Sequence, residues 1–541
     1  MSEFPWDFDS LYPPPDNLWL LKWEATNIYR YIFDTDDISC IRGGSQLLEN
    51  FTEEIRRLVA RLGASAPKVT PVYNAASQFL ALAEGNREDV AGFGDQIVRR
   101  FASDDYCGTS GYGLVNPARI RGGSHTDHLL LQAIHQCEEQ IVRKRLSSLD
   151  VYPGGTTAGT ALDEVDRLHL ADGPTKSSFY RDGIETHLMV SQPTKVKVEC
   201  GKSDRWGLIE DILPLVFRTP EDVHEPFYQD LSYLAADAAI KKGYVAFLAV
   251  DGNAFTASRE QLTTLKALGE FSTFISNIQL KALAEAVRPD LKKFAATPPG
   301  AEKRAAQPIQ LLFRAGDEFD LVVRGERGVD VAISLMDGFE KTVKDELREG
   351  SYPFLKGNPD LACLSFSVGL VFAHASTPVK LLREAAHELL GSAKSKAKSV
   401  GEQGVYPFMV DFMTFESHPT TSDGIEGYRK KVLRIPGSER FLHARPYTRD
   451  EFRDLLRVIR LCRAARFPTT QLHKIVSMVD ECKEVTGYPA DFRKQFEKMV
   501  DRIELKCDPV PASEIKTYLK GEWDSSIKVI DVYELYDYVA G

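Results

Sequence analysis

The stretch from Leu311 to Val323 constrains the fold of this chain most strongly, because it predicts a β-hairpin with acids at its tip. Two apolar runs rich in strand-forming residues flank the turn Ala315-Gly316-Asp317-Glu318. Adjacent carboxylates at a hairpin tip suit divalent metal ions and phosphate chemistry. Ordinary surface turns also favour Gly and Asp, so the hairpin alone leaves the function open.

A second acid is predicted to lie beside this tip. Tyr244–Val250 is a nearly continuous apolar run that ends in Asp251-Gly252-Asn253, which predicts a buried strand delivering an acid at its carboxyl end. A strand end and the tip of a neighbouring hairpin bring hard oxygen ligands to one point. Asp251 is therefore the partner that Asp317 needs.

The elements around these acids follow a regular order. A capping box at Ser258–Gln261 and helically spaced apolar residues up to Ile278 predict a helix after the first strand. Beyond the hairpin we expect a helix from about Asp330 to Leu347, a strand at Ala362–Ala373 and a helix opened by Pro378 that reaches Lys398.

The first half of the chain repeats this order, which predicts an internal duplication. Ile28–Phe33 is predicted as a strand, Gly43-Gly44-Ser45 as a loop and Leu47–Leu62 as a helix. A hairpin is predicted at Val69–Ala83, with a small polar turn in place of the acidic tip, and a helix then leads to Phe101. Both halves fit an α+β palm with helices on one face of an antiparallel sheet.

Composition and charge exclude several classes of protein. The 541 residues are 43% hydrophobic, which suffices for large cores and suggests about three or four domains. A net charge of −11 argues against a protein that coats nucleic acid by bulk charge. The eight cysteines form no Cys-x-x-Cys pair, so neither zinc nor a disulfide framework is predicted. No apolar window reaches about 18 residues and no basic leader precedes an apolar run, so we expect a cytoplasmic protein without a membrane span.

Three further features have a structural interpretation that we favour. His125 and His128 beside Asp127 suit metal ligands, but Ser124 and Asp127 also form a capping box. Residues 151–205 are predicted as a long irregular insertion. The region from about residue 415 is predicted as helical, opened by a capping box at Thr448–Glu451. Its arginines suit RNA or an acidic partner, but interleaved acids favour a solvated face; they are Arg453, Arg457, Arg460, Arg463 and Arg466.

In their order along the chain, these motifs resemble the large polymerase/cyclase subunit of type III CRISPR effector complexes, whose second palm is related to GGDEF diguanylate cyclases. The motifs that carry the resemblance are Tyr31-Ile32-Phe33-Asp34-Thr35, Arg42-Gly43-Gly44-Ser45, Val250-Asp251-Gly252-Asn253, Ala315-Gly316-Asp317-Glu318, Ser367-Val368-Gly369, Ala393-Lys394, Arg445-Pro446 and Phe467-Pro468-Thr469-Thr470-Gln471-Leu472. Together they span roughly Ile28 to Val476. Their order is more specific than any single motif.

The resemblance implies an α+β chain with two ferredoxin-like palm (nucleotidyl cyclase) domains and a C-terminal helical domain. We expect a degenerate first palm at 1–150, a connector without the family's zinc cysteines at 151–235, a second palm at 236–414 and helices at 415–541. The family's phosphohydrolase domain is not expected, because the chain starts almost directly with the first palm and contains no His-Asp dipeptide.

The resemblance also implies a chemistry, since the family joins ATP into cyclic oligoadenylates. Two Mg²⁺ (or Mn²⁺) ions about 4 Å apart would stabilise the attacking 3′-oxygen and the α-phosphate. Asp251, Asp317 and Glu318 are the candidate catalytic residues and metal ligands. Lys394 matches the family's phosphate-binding lysine. The other candidate nucleotide-binding residues are Gly252, Asn253, Ser272, Ala315 and Gly316.

The hairpin tip departs from the family's usual Gly-Gly-Asp-Asp, because Ala315 and Glu318 stand at two of its positions. If Ala315 needs a positive φ, the turn costs about 1 kcal/mol or more and activity suffers. The alternative is therefore a scaffold that binds nucleotide or RNA and holds effector subunits without turnover. A GGDEF-like dinucleotide cyclase is a third candidate. The implied partners are nucleoside triphosphates, other effector subunits and guide or target RNA, and base identity and ring size stay open.

Overall fold

The structure of the protein is a computed structural model. It describes residues 15–539 apart from 64–65, 76, 121–128, 148–161, 166–170, 176–178, 182–183, 204–206, 218–230, 236–240, 263, 297–308, 358–362, 403, 417–423, 435–440, 468–469, 472, 475–476, 478–491, 504–508 and 522–527. His125, Asp127 and His128 lie outside the described residues. Crossing a bilayer requires a longer apolar helix than any that the structure describes.

The first palm has a four-stranded antiparallel sheet. Its strands are β1 (Leu18–Ala25), β2 (Lys68–Ala75), β3 (Gln78–Glu84) and β4 (Ser110–Val115), in the spatial order β2-β3-β1-β4. The helices are α1 (Ile28–Phe33), α2 (Ile38–Ala60), α3 (Arg87–Phe101) and α4 (Leu129–Ser147). The predicted strand at Ile28–Phe33 is wrong, because this run forms α1 and the strand lies just before it.

The predicted loop at Gly43-Gly44-Ser45 is also wrong, because these residues lie within α2. There α2 crosses α5 (Gln192–Ser203) so closely that a Cβ on Gly43 would lie 1.7 Å from the carbonyl oxygen of Lys197. A Cβ on Gly201 of α5 would likewise lie 1.9 Å from the carbonyl oxygen of Ser39. The glycines therefore permit a close helix crossing.

The connector contains short elements in place of the irregular insertion that we expected. β5 (Gly173–Pro174) pairs with β8 (Met189–Val190), and β6 (Phe179–Arg181) pairs with β7 (Ile184–Thr186). After α5 come α6 (Leu213–Val216) and α7 (Ser232–Ala235).

The second palm repeats the order of the first and extends it. Its strands β9 (Tyr244–Gly252), β10 (Ile309–Ala315), β11 (Glu318–Arg324) and β12 (Phe366–His374) lie in the order β10-β11-β9-β12. β13 (Met409–Thr414) adds to β12 in parallel, and β14 (Tyr447–Thr448) follows at the edge. The helices are α8 (Phe255–Glu260), α9 (Leu265–Ala295), α10 (Gly328–Glu349), α11 (Pro353–Gly357) and α12 (Val379–Val400).

The strand registers of the two hairpins confirm the predicted internal duplication. The hairpins close on the pairs Ala75–Gln78 and Ala315–Glu318, and each has a register shift at the same place in its first strand. The helices α1 and α8 both follow a residue in the left-handed conformation, Asn27 with φ 55° and Ala254 with φ 59°.

Helices cover both faces of the second sheet, so the expectation of one covered face is wrong. Leu248 and Val250 of β9 belong to a core that includes α9 and α10, whereas Phe247 and Ala249 belong to a core that includes α12. Because β9 is buried on both faces, its sequence is continuously apolar.

The helix α9 begins after Thr264, whose hydroxyl accepts from the backbone N–H of Ala267 at 3.1 Å. The predicted capping box at Ser258–Gln261 therefore does not open this helix.

The C-terminal region is helical, as expected. α13 (Gly424–Tyr428) runs into a π-helix (Arg429–Leu433), and α14 (Arg449–Ala464), α15 (Phe492–Asp501), α16 (Pro509–Lys520) and α17 (Val529–Leu535) follow. The predicted capping box of Thr448 and Glu451 is confirmed.

The arginines of α14 lie on an exposed helix face, as we favoured, and several of them pair with acids of a neighbouring helix. Arg449 contacts Glu340 at 2.6 Å, Arg460 contacts Asp330 at 2.8 Å, and Arg453 pairs with Asp337. These acids lie on α10, so the arginines join the C-terminal region to the second palm.

Candidate active site

The sheet brings Asp251 and Asp317 together at the end of β9. β11 runs antiparallel to β9 with Phe319 opposite Val250, so the turn that precedes β11 stands beside the end of β9. The two carboxyl groups lie close enough for each to affect the ionisation of the other. Burial, and next the charge of Asp251, raise the pKa of Asp317 to about 7. A cation placed between these groups would relieve their repulsion.

Gly252 makes this approach possible. A Cβ at this position would lie 2.6 Å from Oδ2 of Asp317 and 2.6 Å from the ring of Phe255. Any other residue would have to displace the Asp317 carboxylate or the Phe255 ring. Gly252 therefore sets the separation of the two acids, a role that follows from its lack of a side chain.

The turn of the hairpin is unstrained at Ala315. Gly316 has the positive φ, at 62°, while Ala315 is not among the described non-glycine residues with positive φ. Ala315 ends β10 and pairs with Glu318 across the hairpin. The expected cost of an alanine at this position is therefore wrong, because the left-handed residue is the glycine that follows it.

Lys394 lies beside the acids. Its Nζ donates to Oδ2 of Asp251 at 2.5 Å, from a position late in α12. Both side chains are about a quarter exposed, at 28% and 27%, so a ligand can reach them. The lysine supplies a positive charge next to the carboxylate pair.

A cavity of about 300 Å³ opens beside Asp317, between the two palms. Ser272 and Gly316 line it from the second palm, and Tyr73, Ser77 and Gln78 line it from the first. Its size is at the lower end of the range for small-molecule sites. The structure thus places three of the predicted nucleotide-binding residues, Ser272, Ala315 and Gly316, on the wall of a pocket that Asp317 also lines.

Asn253 does not reach this pocket. It is 6% exposed, and its amide nitrogen donates to Oγ of Ser365 at 2.9 Å and to the carbonyl oxygen of Pro407 at 3.1 Å. Its amide oxygen accepts from Oγ of Ser367 at 2.8 Å. These bonds join β9, β12 and the segment before β13.

Glu318 faces a cluster of side chains that the sequence analysis missed. The hydroxyl of Tyr29, from α1 of the first palm, donates to Oε2 of Glu318 at 2.5 Å. Asp320 is fully buried, and Nε of Arg383 and Nε2 of His387 lie 2.8 Å and 2.9 Å from its carboxylate. Arg383 also lies 3.8 Å from Glu318.

Part of this cluster left a signal in the sequence. Asp320 interrupts an apolar strand, and Arg383 and His387 are four residues apart on one helix face. Burial raises the pKa of Glu318, while its hydrogen bond from Tyr29 lowers it. No sequence pattern points to Tyr29, because it reaches the site from the other palm.

The acids fit a magnesium ion that binds together with a nucleotide. Within the described residues, no three or more His, Cys, Asp or Glu side chains are grouped to hold a metal ion. Asp251 and Asp317 supply two carboxylates, and Glu318 is turned towards Tyr29. Mg²⁺ is ordinarily held by one or two carboxylates, with water and substrate phosphates in the other positions.

Comparison with known proteins places this site in a family. Residues 244–400 match the model of the second palm domain of Cas10/Cmr2. The resemblance to the large subunit of type III CRISPR effector complexes is therefore confirmed. No curated protein matches the chain.

Solved structures of this family share the fold of the whole chain. The Csm1–Csm4 cassette in complex with pppApApA matches with a TM-score of 0.54 at 13% identity, over 97% of this chain and 68% of that chain. The cassette in complex with cA3 matches with a TM-score of 0.55 at 13% identity, over 97% and 70%. Csm1 from T. onnurineus matches with a TM-score of 0.53 at 13% identity, over 97% and 70%. At this identity the likeness shows the fold, so the predicted pair of palms with a helical C-terminal region is confirmed.

Proposed function

We propose that this protein is a metal-dependent nucleotidyltransferase that joins ATP into cyclic oligoadenylates, as a second messenger of CRISPR-type antiviral defence. The observation that carries this proposal is the meeting of Asp251, Asp317 and Lys394 beside a pocket between two palms. Complexes of the similar Csm1–Csm4 cassette with AMPPNP, pppApA and cA3 support ATP as the substrate.

The residues of the site have separate roles in the proposed reaction. When bound, Mg²⁺ or Mn²⁺ stabilises charge on the attacking 3′-oxygen and on the α-phosphate. Asp251 and Asp317 hold the metal, with Glu318 as the third proposed ligand. Asp317 loses its proton on binding, because a cation offsets the charge of its neighbour.

The remaining residues hold the nucleotide. Lys394 leaves Asp251 and binds a phosphate group of the nucleotide. Its ammonium group acts there as a point charge. Gly252 and Gly316 let the backbone approach the phosphates without a Cβ clash. Ser272, on the pocket wall, is placed to contact the ribose or the base.

Product formation by the purified protein tests this proposal. Each nucleoside triphosphate is incubated with Mg²⁺ or Mn²⁺, and products are identified by mass spectrometry. Asp251→Asn and Asp317→Asn are each expected to lower the rate by about 100-fold or more, as loss of a group that stabilises transition-state charge does. Asp345→Asn is the matched control, since this acid of α10 is 40% exposed and forms an ion pair with Arg348 at 3.3 Å on the same helix. Absence of product with every triphosphate and both metals, or a wild-type rate for Asp317→Asn, would overturn the proposal.

A scaffold without turnover is the second candidate. It is favoured by the fact that each of the three acids already has a partner within the protein: Lys394 for Asp251, Asp251 for Asp317 and Tyr29 for Glu318. Such a protein would bind nucleotide or RNA and hold effector subunits, as the solved Csm1–Csm4 cassette suggests. Turnover that is lost specifically in Asp251→Asn would exclude it. A dinucleotide as the sole product would instead indicate a GGDEF-like cyclase.

A further inference from the structure

The internal duplication makes the two halves of the interface between the palms directly comparable. Tyr29 corresponds to Thr256, because each is the second residue of a helix that follows a left-handed residue. Ser45 corresponds to Ser272, because they stand at the same position in α2 and α9.

The hairpins correspond in the same way. Tyr73 corresponds to Phe313, since each is the first residue after the register shift of its hairpin. Gln78 corresponds to Glu318, since each closes the turn of its hairpin.

One half of the interface is open. Thr256 and Ser272 of the second palm lie across the cavity of about 300 Å³ from Tyr73 and Gln78 of the first. Asp317 also lines this cavity, so a nucleotide bound here would lie next to this acid.

The equivalent residues of the other half are in contact with each other. Ser45 is 3% exposed, and its hydroxyl donates to the carbonyl oxygen of Leu312 at 2.5 Å. The ring of Tyr29 lies 6.0 Å from that of Phe313, edge to face. Its hydroxyl donates to Glu318. Protein atoms therefore occupy the place that corresponds to the open cavity.

Tyr29 is held in this place by contacts that can open. The guanidinium of Arg383 lies 4.6 Å from the centre of the Tyr29 ring, and it is itself anchored to the buried Asp320. Tyr29 is nevertheless 49% exposed. It can turn away without uncovering a core, whereas Ser45 and Phe313 are buried.

We propose that Tyr29 is a gate on a second nucleotide position, which the first palm and the hairpin of the second palm form together. In the closed form the interface binds one nucleotide, and a second nucleotide enters only when Tyr29 leaves Glu318. The gate rests on the proposed function, because an enzyme that joins nucleotides must hold two of them. Opening would also free the Glu318 carboxylate for the reaction.

The strength of the gate follows from its contacts. A hydrogen bond to a charged group favours the closed form by about 10- to 100-fold. The apparent affinity for the second nucleotide falls by the fraction of molecules that are open. Removing the gate should therefore raise this affinity by about tenfold or more.

Calorimetric titration of the full chain with AMPPNP and Mg²⁺ tests the gate. We expect one tight binding event and one at least about tenfold weaker in the wild type. Tyr29→Ala should tighten the second event about tenfold and leave the first unchanged. Tyr29→Phe keeps the ring and loses the hydroxyl, so it should tighten the second event by less. Tyr233→Ala is the control, because Tyr233 is 45% exposed and lies on α7.

Two results would overturn the gate: two equal binding events in the wild type, or an unchanged second event in both Tyr29→Ala and Tyr29→Phe. A wild type that binds no AMPPNP would overturn it as well. The readout is binding, so it separates the gate from the proposed function, which is judged by product. If Tyr29→Ala tightens the second binding event but the protein makes no product, the gate is supported and the proposed enzyme activity is refuted. If the protein makes product but the second binding event is unchanged in the Tyr29 variants, the enzyme activity is supported and the gate is refuted.

Discussion

Gly252 decides how closely the two acids of the candidate active site approach each other. It ends β9 one residue after Asp251, and the carboxylate of Asp317 occupies the space where a side chain would be. The acids can approach closely enough to share one cation only because residue 252 has no side chain to fill this space. A residue without chemistry of its own therefore sets the geometry on which the proposed chemistry depends.

Replacing this glycine should inactivate the proposed enzyme. Gly252→Ala places a methyl group 2.6 Å from Oδ2 of Asp317, and a displacement of about 1 Å in a catalytic group costs on the order of 100-fold in rate. We expect this loss in product formation, with the protein still folded by circular dichroism. Gly391→Ala is the control, since nothing lies within 4 Å of a Cβ there and alanine suits the helix interior. Equal rates for the two variants would contradict the role of Gly252.

Restoring the family's usual glycine at the tip should not help. Ala315 lies in β10 without a positive φ, so Ala315→Gly relieves no strain. We expect a rate within about twofold of wild type and a loss of about 0.5–1 kcal/mol in the free energy of unfolding, because glycine weakens a strand. Product assays and urea titrations measure the two effects. A rate increase of tenfold would show that Ala315 does limit the turn.

The sequence could predict the acids but not their surroundings. Asp251 and Asp317 are readable because a strand end and a hairpin tip are local patterns, and local patterns survive in sequence. The bond from Tyr29 to Glu318 joins residues 289 positions apart. It depends on how two palms pack, which no periodicity within either palm encodes.

At the scale of elements, the end of β9 is fastened to its neighbours by one buried amide. Asn253 bonds both Ser365 and Ser367 around the start of β12, as well as the backbone before β13. This network holds the strand end from which Asp251 projects. Its polar atoms have partners within the protein, which is the condition for burying an amide at low cost.

Asn253→Ala should therefore lower stability and leave nucleotide affinity unchanged. Removing the amide leaves the buried Ser367 hydroxyl and the Pro407 carbonyl group without this partner, at about 1–3 kcal/mol in the free energy of unfolding. Urea titration measures this loss, and AMPPNP titration of the folded protein measures affinity. Asn277→Ala is the control, because Asn277 makes a single exposed bond to Tyr352. A large loss of affinity with unchanged stability would instead place Asn253 at the nucleotide.

Short apolar runs explain the errors in element type. Ile28–Phe33 contains aromatic and β-branched residues but spans only six positions, and at this length periodicity does not separate a strand from a helix. The order of elements gave the correct topology nevertheless, because the long helices and the hairpins are each strongly patterned. The predicted loop at Gly43 failed for a different reason, since its glycines serve a contact with α5 that lies far along the chain.

At the scale of the whole molecule, buried charges tie the C-terminal helices to the second palm. Arg445 donates to Glu534 of α17 at 2.8 Å and to the carbonyl oxygen of Phe412 in β13 at 2.6 Å. Breaking such a pair strands a buried charge, which costs more than the pair contributes. The C-terminal region and the palm should therefore unfold together rather than as separate units.

His443 lies beside this junction, and it makes stability depend on pH. Burial, and next the positive charges of Arg445 and Arg429, lower the pKa of His443 to about 2. An unfolded histidine has a pKa of about 6.5. As the pH falls below that value, the unfolded chain takes up a proton that the folded chain does not. Its contribution to stability is therefore complete above about pH 6.5 and is lost progressively on acidification.

Between pH 7 and pH 5 this loss amounts to about 2 kcal/mol in the free energy of unfolding. His443→Phe keeps an aromatic ring beside Phe441 and cannot titrate, so the variant should gain about 2 kcal/mol on the wild type over this range. Urea titrations at pH 5, 6 and 7 measure the difference. His374→Phe is the control, because His374 is exposed at the end of β12 and should follow the wild type. Parallel stability curves for His443→Phe and wild type would mean that the folded protein admits a proton to His443, which would contradict its lowered pKa.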